Sequence, residues 1–284
     1  MSTVEMDPLG YETGSPPRRQ VEVAGRTIAY RESGYDNPLV LVLLHGVSSL
    51  AASWGPQFVS LPSRGVRVIA WDAPGYGGSD RLPQESPAPS DYAEALLGFV
   101  DALKLERFML LGHSFGALPA ASFCRLTGAS RVEKLILASP TPGYAKATEE
   151  LRRLRVDGRL KDMAALGPAG LAAQRAPQVM SAQAPKRALM LVRAVMQEMR
   201  PDGYGQAVHM LGRGDILEEA RGIVVPTLVM CGSNDTVTPE ESCRRIAGAI
   251  PGACFELVPG PGHALYIEAP GPFDDVVARF IGAR

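Results

Sequence analysis

The pentapeptide Gly112-His113-Ser114-Phe115-Gly116 sets a serine between glycines two positions before and two positions after it. Where this G-x-S-x-G pattern joins a strand to a helix, the sharp turn strains the serine backbone and lifts its hydroxyl clear of the sheet. A Cβ at either glycine would crowd such a turn. The free N–H groups of the following helix favour negative charge developing beside the hydroxyl. The plainer alternative is a serine that only caps a helix. The flanks favour a nucleophile: residues 107–111, Arg-Phe-Met-Leu-Leu, read as a buried strand, and the small-residue run 117–126 reads as a helix.

A serine hydroxyl is a poor nucleophile without a general base, and the base needs an orienting group. The chain has four histidines. His113 lies inside the turn and is expected to point away from the Ser114 hydroxyl. His45 follows a strand and reads as structural. His209 falls in a long helical stretch. His263 lies in Gly260-Pro261-Gly262-His263-Ala264, after the last apolar strand. Loops after the carboxyl ends of parallel strands gather at one edge, where sites form, so His263 is the expected base. Asp235, in Gly232-Ser233-Asn234-Asp235 after the strand expected over residues 224–231, is the expected orienting acid. Its plainer reading is a turn or capping residue before a helix starting near Thr238. The loop one strand earlier, Ser139-Pro140-Thr141-Pro142-Gly143, holds no carboxylate. Acyl transfer also needs oxyanion donors. The backbone N–H of Phe115 is one, and that of Val47, beside Gly46 and after residues 39–44, is the other.

These residues need a frame that gathers strand ends. Apolar runs at 39–44, 66–71, 107–111 and 224–231 read as buried strands, and 132–138 and 254–258 read as further strands. Residues 21–23 and 27–30 form a hairpin about Ala24-Gly25-Arg26. Helices are expected over 91–105, capped by Ser90 or Asp91, and over 117–126, 238–250 and 272–281. The alternation predicts an α/β fold with a mostly parallel sheet covered on both faces. From 141 to 219 the pattern is helical and Met-rich, broken at Gly167-Pro168, Pro185 and Pro201-Asp202-Gly203. It reads as a lid inserted into a core of residues 20–140 and 220–284, behind a flexible leader over 1–19. In the lid, Met163, Met180, Met190, Met196, Met199 and Met210 suit either an adaptable apolar pocket or plain packing. Arg152, Arg193 and Arg213 are candidates to hold a substrate carboxylate, against the default of solvent-facing arginines.

Composition narrows the classes. In 284 residues, 46% hydrophobic and 21% charged, there is enough apolar material for a large core. A net charge of −1, with both signs spread along the chain, argues against nucleic acid and against an anionic membrane surface. No apolar run approaches a bilayer span, and residues 1–19 lack the apolar stretch of a secretory signal. Cys124, Cys231, Cys243 and Cys254 have no metal-ligand spacing and read as reduced core residues of a cytoplasmic protein. No metal and no cofactor is expected, and the oligomeric state is open.

Taken together, His45-Gly46, the run from Asp72 to Ser79 (Asp-Ala-Pro-Gly-Tyr-Gly-Gly-Ser), the serine turn, Gly232-Ser233-Asn234-Asp235 and Gly262-His263 resemble the α/β-hydrolase superfamily over residues 20–284. The order Ser114, Asp235, His263 matches that of nucleophile-elbow hydrolases. The resemblance implies an eight-stranded sheet. It assigns Ser114 as nucleophile, His263 as base, Asp235 as orienting acid and the Val47 and Phe115 amides as oxyanion donors. It makes the Asp72 loop structural. Within the superfamily, Pro201-Asp202-Gly203-Tyr204 and Ala249-Ile250-Pro251-Gly252-Ala253 are similar to 3-oxoadipate enol-lactonases. That implies an enzyme cleaving a small carboxylic ester or lactone. Carbon–carbon hydrolases of the meta-cleavage type and cofactor-free perhydrolases or haloperoxidases keep the same three residues, as does a ligand receptor on the same fold. Dehalogenases and epoxide hydrolases of this fold use an aspartate nucleophile, and Ser114 argues against both.

Overall fold

Eight strands form one sheet in a computed structural model that describes residues 13–283. They are β1 (Arg19–Val23), β2 (Arg26–Ser33), β3 (Leu39–Leu44), β4 (Val66–Trp71), β5 (Phe108–His113), β6 (Val132–Ala138), β7 (Thr227–Gly232) and β8 (Cys254–Val258). Their order is β1-β2-β4-β3-β5-β6-β7-β8. The first two pairings are antiparallel and the rest parallel. Most of the leader expected over residues 1–19 lies outside the described residues.

Helices cover the sheet for a topological reason. From β3 the chain steps to β4 through α1 (Gly55–Ser60), then crosses back over β3 to β5 through α2 (Pro89–Ala102). From β5 it continues in the new direction to β6 through α3 (Ala117–Thr127). Right-handed crossovers that run in opposite directions put their helices on opposite faces. Thus α2 packs on α3, while α1 packs with the closing helix. Every residue of β5 and β7 is buried, as their largely apolar sequences favour. The direction of travel reverses between β3 and β5, which places a crevice above the carboxyl ends of these two strands.

Between β6 and β7 no strand forms. The chain instead makes α4 (Glu149–Arg152), continues helically into α5 (Gly158–Arg175), and adds α6 (Lys186–Gln197) and α7 (Pro201–Arg213). Gly167 breaks α5 with φ 63° and ψ 179°, just before Pro168. The excursion closes on itself. Tyr144 N–H donates to Leu211 O at 2.8 Å, Ala145 N–H to Gly214 O at 3.0 Å, and Ile216 N–H to Pro142 O at 3.0 Å. The short α8 (Ile216–Ala220), capped by the Asp215 carboxylate on Leu217 N–H at 3.0 Å, already packs on α3. After β7 come α9 (Glu240–Ala249), then β8, α10 (Leu265–Glu268) and α11 (Pro270–Ile281).

Four expectations need correction. The first hairpin turns on Ala24-Gly25 alone, with φ of 49° and 75° as a two-residue turn of this hand requires, and Arg26 is already in β2. The N-cap of α2 is Ala88, and Asp91, three residues on, accepts from the Ala88 N–H at 2.6 Å. The seventh strand begins at Thr227, because Pro226 cannot donate to a ladder and Val224 is exposed. Cys254 is exposed at the sheet edge, while the other three cysteines are buried.

One buried carboxylate outside the site gives a pH test. Asp274 of α11 is 1% exposed and accepts from Gln57 Nε2 at 3.0 Å and from Ser60 Oγ. Burial pushes its carboxyl up to about 6, against the two hydrogen bonds. A carboxyl raised on folding favours the native state below its unfolded value, and that contribution is lost as pH rises through the folded one. Asp274→Asn keeps both partners and cannot ionise. Its stability relative to the wild type should therefore rise by roughly 2 kcal/mol between pH 4 and pH 7. Denaturant titrations at the two pH values measure this, and a pH-independent difference would refute it.

Candidate active site

Strand β5 runs straight into the Ser114 turn, and Ser114 takes φ 53°, a left-handed conformation rare for a side chain with a Cβ. The two glycines explain how the turn closes. A Cβ on Gly112 would lie 2.4 Å from Gly116 O, and one on Gly116 would lie 2.5 Å from Leu44 O, at the end of β3. Any larger residue would push the serine turn away from β3.

The ends of β5, β7 and β8 bring three predicted residues together. Ser114 Oγ lies 2.9 Å from His263 Nε2, and His263 Nδ1 lies 2.9 Å from Asp235 Oδ2. All three are nearly buried. Asp235 Oδ1 accepts from Val237 N–H and Thr238 N–H, each at 2.9 Å, and Thr238 Oγ1 donates to Oδ2 at 2.8 Å. The two readings of Asp235 are therefore one geometry: the turn bonds before α9 hold one oxygen and leave the other facing the imidazole. Burial pushes Asp235 upward, but the His263 charge and hydrogen bond, with the Thr238 N–H, outweigh it and hold the carboxyl at about 2. Asp235 is thus an anion at neutral pH.

His263 is held by its own loop. Gly262 N–H donates to Glu268 Oε2 at 3.0 Å, and the same oxygen accepts from Ser181 N–H at 2.9 Å. Ala264 N–H donates to Val179 O at 2.9 Å. The histidine loop is therefore stitched to the inserted helical segment. His113 points away from the serine hydroxyl and supports the other histidine: its Nε2–H donates to His263 O at 2.9 Å, and the two rings lie 5.0 Å apart. Burial first, then the nearby His263 charge, lower the His113 imidazole to about 3, so it stays neutral. Tyr266 packs on it, and its hydroxyl donates to Ser53 Oγ at 3.0 Å. The supporting roles of His113, Thr238, Glu268 and Tyr266 carry no spacing signal in the sequence, since each acts through a contact that only the folded loops create.

Val47 lines the cavity beside Ser114, and Gly46 forms part of the same wall. Phe115 sends its ring into the core against Tyr92 and Tyr76, which leaves its backbone in the turn after Ser114. His45 has a structural place: Nδ1–H donates to Gly46 O at 2.8 Å and Nε2 accepts from Ala73 N–H at 2.9 Å. The Asp72 loop is anchored likewise, with Oδ1 accepting from Ala51 N–H at 2.9 Å. Among the described residues no group of three His, Cys, Asp or Glu side chains could hold a metal ion.

Above Ser114 lies a cavity of about 350 Å³ between the core loops and the inserted helices. A second recess of about 260 Å³ meets it at Ser114 and Val47. Most of the methionines and arginines of the inserted segment that could serve either a pocket or plain packing and surface lie outside the cavity wall. Met196 is in the cavity wall, Met190 is exposed, and Met163, Met180, Met199 and Met210 are buried outside that wall. Arg193 is exposed. Arg152, Arg213 and His209 share a separate recess with Glu149 and Asp157. The arginines in the wall are instead Arg155, Arg159 and Arg175. No α-helical spacing singles them out, because a π-helical turn over Arg153–Asp157 follows Arg152, which faces a different recess.

A family model described as "alpha/beta hydrolase fold" matches residues 40–270. The chain belongs to the α/β-hydrolase family. A Caulobacter sp. protein named "Putative carbamate hydrolase RutD" is 27% identical, over 86% of this chain and 91% of its own length. A 3-oxoadipate enol-lactonase of Acinetobacter baylyi is 26% identical, over 90% and 94% respectively. The crystal structure of the enol-lactonase from Burkholderia xenovorans superposes with a TM-score of 0.82 at 26% identity, covering 93% of this chain and 99% of that one. Relatives of this α/β-hydrolase thus include enzymes of more than one substrate type. No helix among the described residues is long and apolar enough to cross a membrane.

Proposed function

We propose that this α/β-hydrolase cleaves a small carboxylic ester or lactone through an acyl-enzyme on Ser114. The observation that carries this reading is the buried hydrogen-bonded series Ser114–His263–Asp235 at the floor of a cavity. His263 Nε2 accepts the Ser114 proton as Oγ attacks the acyl carbon, and Asp235 fixes the proton on Nδ1 and stabilises the imidazolium. The oxyanion accepts from the Phe115 and Val47 N–H groups, both beside Ser114. The tetrahedral intermediate collapses, the ester or ring C–O bond breaks, and His263 returns the proton to the leaving oxygen. Water, deprotonated by His263, then attacks the acyl carbon, the bond to Ser114 Oγ breaks, and His263 returns the proton to Oγ as the carboxylic acid leaves.

The inserted helices act as a lid over residues 141–219 and set substrate choice, since cavity-lining side chains such as Arg159, Val195 and Met196 come from them. The enol-lactonase relatives favour a lactone over an open ester, by analogy alone. The test is an assay against an enol-lactone, a short p-nitrophenyl ester and a meta-cleavage dienone, with EDTA present. Turnover of the first or second is expected. Activity confined to the dienone would move the assignment to carbon–carbon hydrolysis. Activity abolished by EDTA and restored by metal would overturn the mechanism.

A further inference from the structure

We infer that the substrate carries a carboxylate besides its scissile acyl group, and that Arg159 is the residue that holds it. The inference rests on the hydrolase reading for the word substrate, but its observations concern the cavity alone. Arg159 comes from the first turn of α5 and is only 9% exposed. It lines both the main cavity and the second recess, the two spaces that meet at Ser114. Its Nε is buried without a hydrogen-bond partner. Burial opposes its charge, the phenols of Tyr204 and Tyr144 favour it by charge and by hydrogen bonding, and neither lining contains an aspartate or glutamate.

A buried guanidinium with no carboxylate is costly. The two phenols offset part of that cost, and the other arginines of the wall offset none of it. Arg175 is committed to Asp162, with Nη2 2.7 Å from Oδ2. Arg155 lines the same two spaces but is exposed, and it adds a second positive charge. The nearby His113 is neutral, held down by burial first and the His263 charge second. The space in front of Ser114 is therefore cationic, and it lacks the anion that Arg159 needs. A planar guanidinium matches a carboxylate through two parallel N–H···O bonds, and such charge-assisted bonds are the strong class. Because Arg159 faces both recesses, the carboxylate can belong to either side of the scissile bond. The arginine acts on binding and orientation, and takes no part in the proton transfers.

Two pairs of esters read this out. The first compares p-nitrophenyl hemiglutarate with p-nitrophenyl valerate, which differ by a carboxylate on the acyl side. The second compares 4-(butyryloxy)benzoate with its methyl ester, which differ on the leaving side. In the wild type, kcat/KM for the anionic member of at least one pair should exceed that of its neutral partner by about tenfold or more. That ratio should fall toward one in Arg159→Gln and be partly kept in Arg159→Lys. Ratios within twofold of unity in both pairs would overturn the inference, whether or not the variants fold. A binding measurement separates this from the hydrolase reading. Ser114→Ala protein, which need not turn over, should bind glutarate about tenfold more tightly than glutaramide by calorimetry, with affinity falling as salt is raised. Equal affinity for the two would overturn the carboxylate site even if esters are cleaved. Preferential glutarate binding would sustain it even if no ester is.

Discussion

Ser114→Ala should lower kcat/KM toward a short carboxylic ester by about five powers of ten, while the protein keeps its fold. The alanine removes one oxygen at a site that nothing else can replace. Ser114 Oγ is the atom 2.9 Å from His263 Nε2, in a turn whose closure depends on Gly112 and Gly116 and not on the hydroxyl. The left-handed φ of 53° is kept by the variant, so the strain stored in the turn is kept with it. The remaining activity would come from the oxyanion donors and cavity binding alone. Circular dichroism and a thermal melt check the fold, and steady-state kinetics with p-nitrophenyl butyrate checks the loss. A variant within tenfold of wild type would remove Ser114 from the chemistry.

Asp235→Asn should cost about 10⁴-fold in kcat with little change in KM. The direction follows from how the carboxylate is held. Oδ1 accepts two backbone N–H bonds, from Val237 and Thr238, so the amide oxygen of an asparagine must take that place. Its NH₂ then faces His263 Nδ1, where the native oxygen lies at 2.9 Å. An amide donor requires a lone pair on Nδ1, which puts the imidazole proton on Nε2 and leaves no acceptor for the serine proton. The same substitution has a stability signature. Asp235 is depressed to about 2, by the His263 charge and hydrogen bond working against burial. A carboxyl depressed on folding stabilises the native state above its unfolded value of about 3.9, and that share is lost as pH falls through about 2. Asp235→Asn should remove this dependence between pH 4 and pH 2. Wild-type turnover in the variant would show that the orienting acid lies elsewhere.

The parallel strands are legible because apolar residues concentrate in each, most fully in β3, and a single Arg67 or Glu256 does not hide the pattern. The segments 39–44, 66–71, 132–138 and 254–258 have the same limits in the sequence reading and in the structure. Where apolar character and backbone chemistry disagree, the reading drifted. Val224 and Val225 extend the apolar run before β7, yet Pro226 stops the strand and Val224 faces solvent. Ser114, Asp235 and His263 could be picked out because parallel topology carries three loops to one edge whatever their sequence distance. The cavity wall could not. Which face of an inserted helix looks inward depends on how the segment closes over the core, through contacts such as Ala264 N–H to Val179 O. Hence the sequence offers Arg152 and passes over Arg159, which the π-helical turn between them brings to a different recess.

The central claim is that Ser114 is the nucleophile, and covalent capture tests it most directly. The protein should be treated with an alkyl fluorophosphonate, digested, and read by peptide mass spectrometry. A single phosphonyl adduct on Ser114, formed in the wild type, absent in Ser114→Ala and slowed in Asp235→Asn, is the expected result. Labelling at another serine, or none at concentrations that inactivate the enzyme, would contradict it.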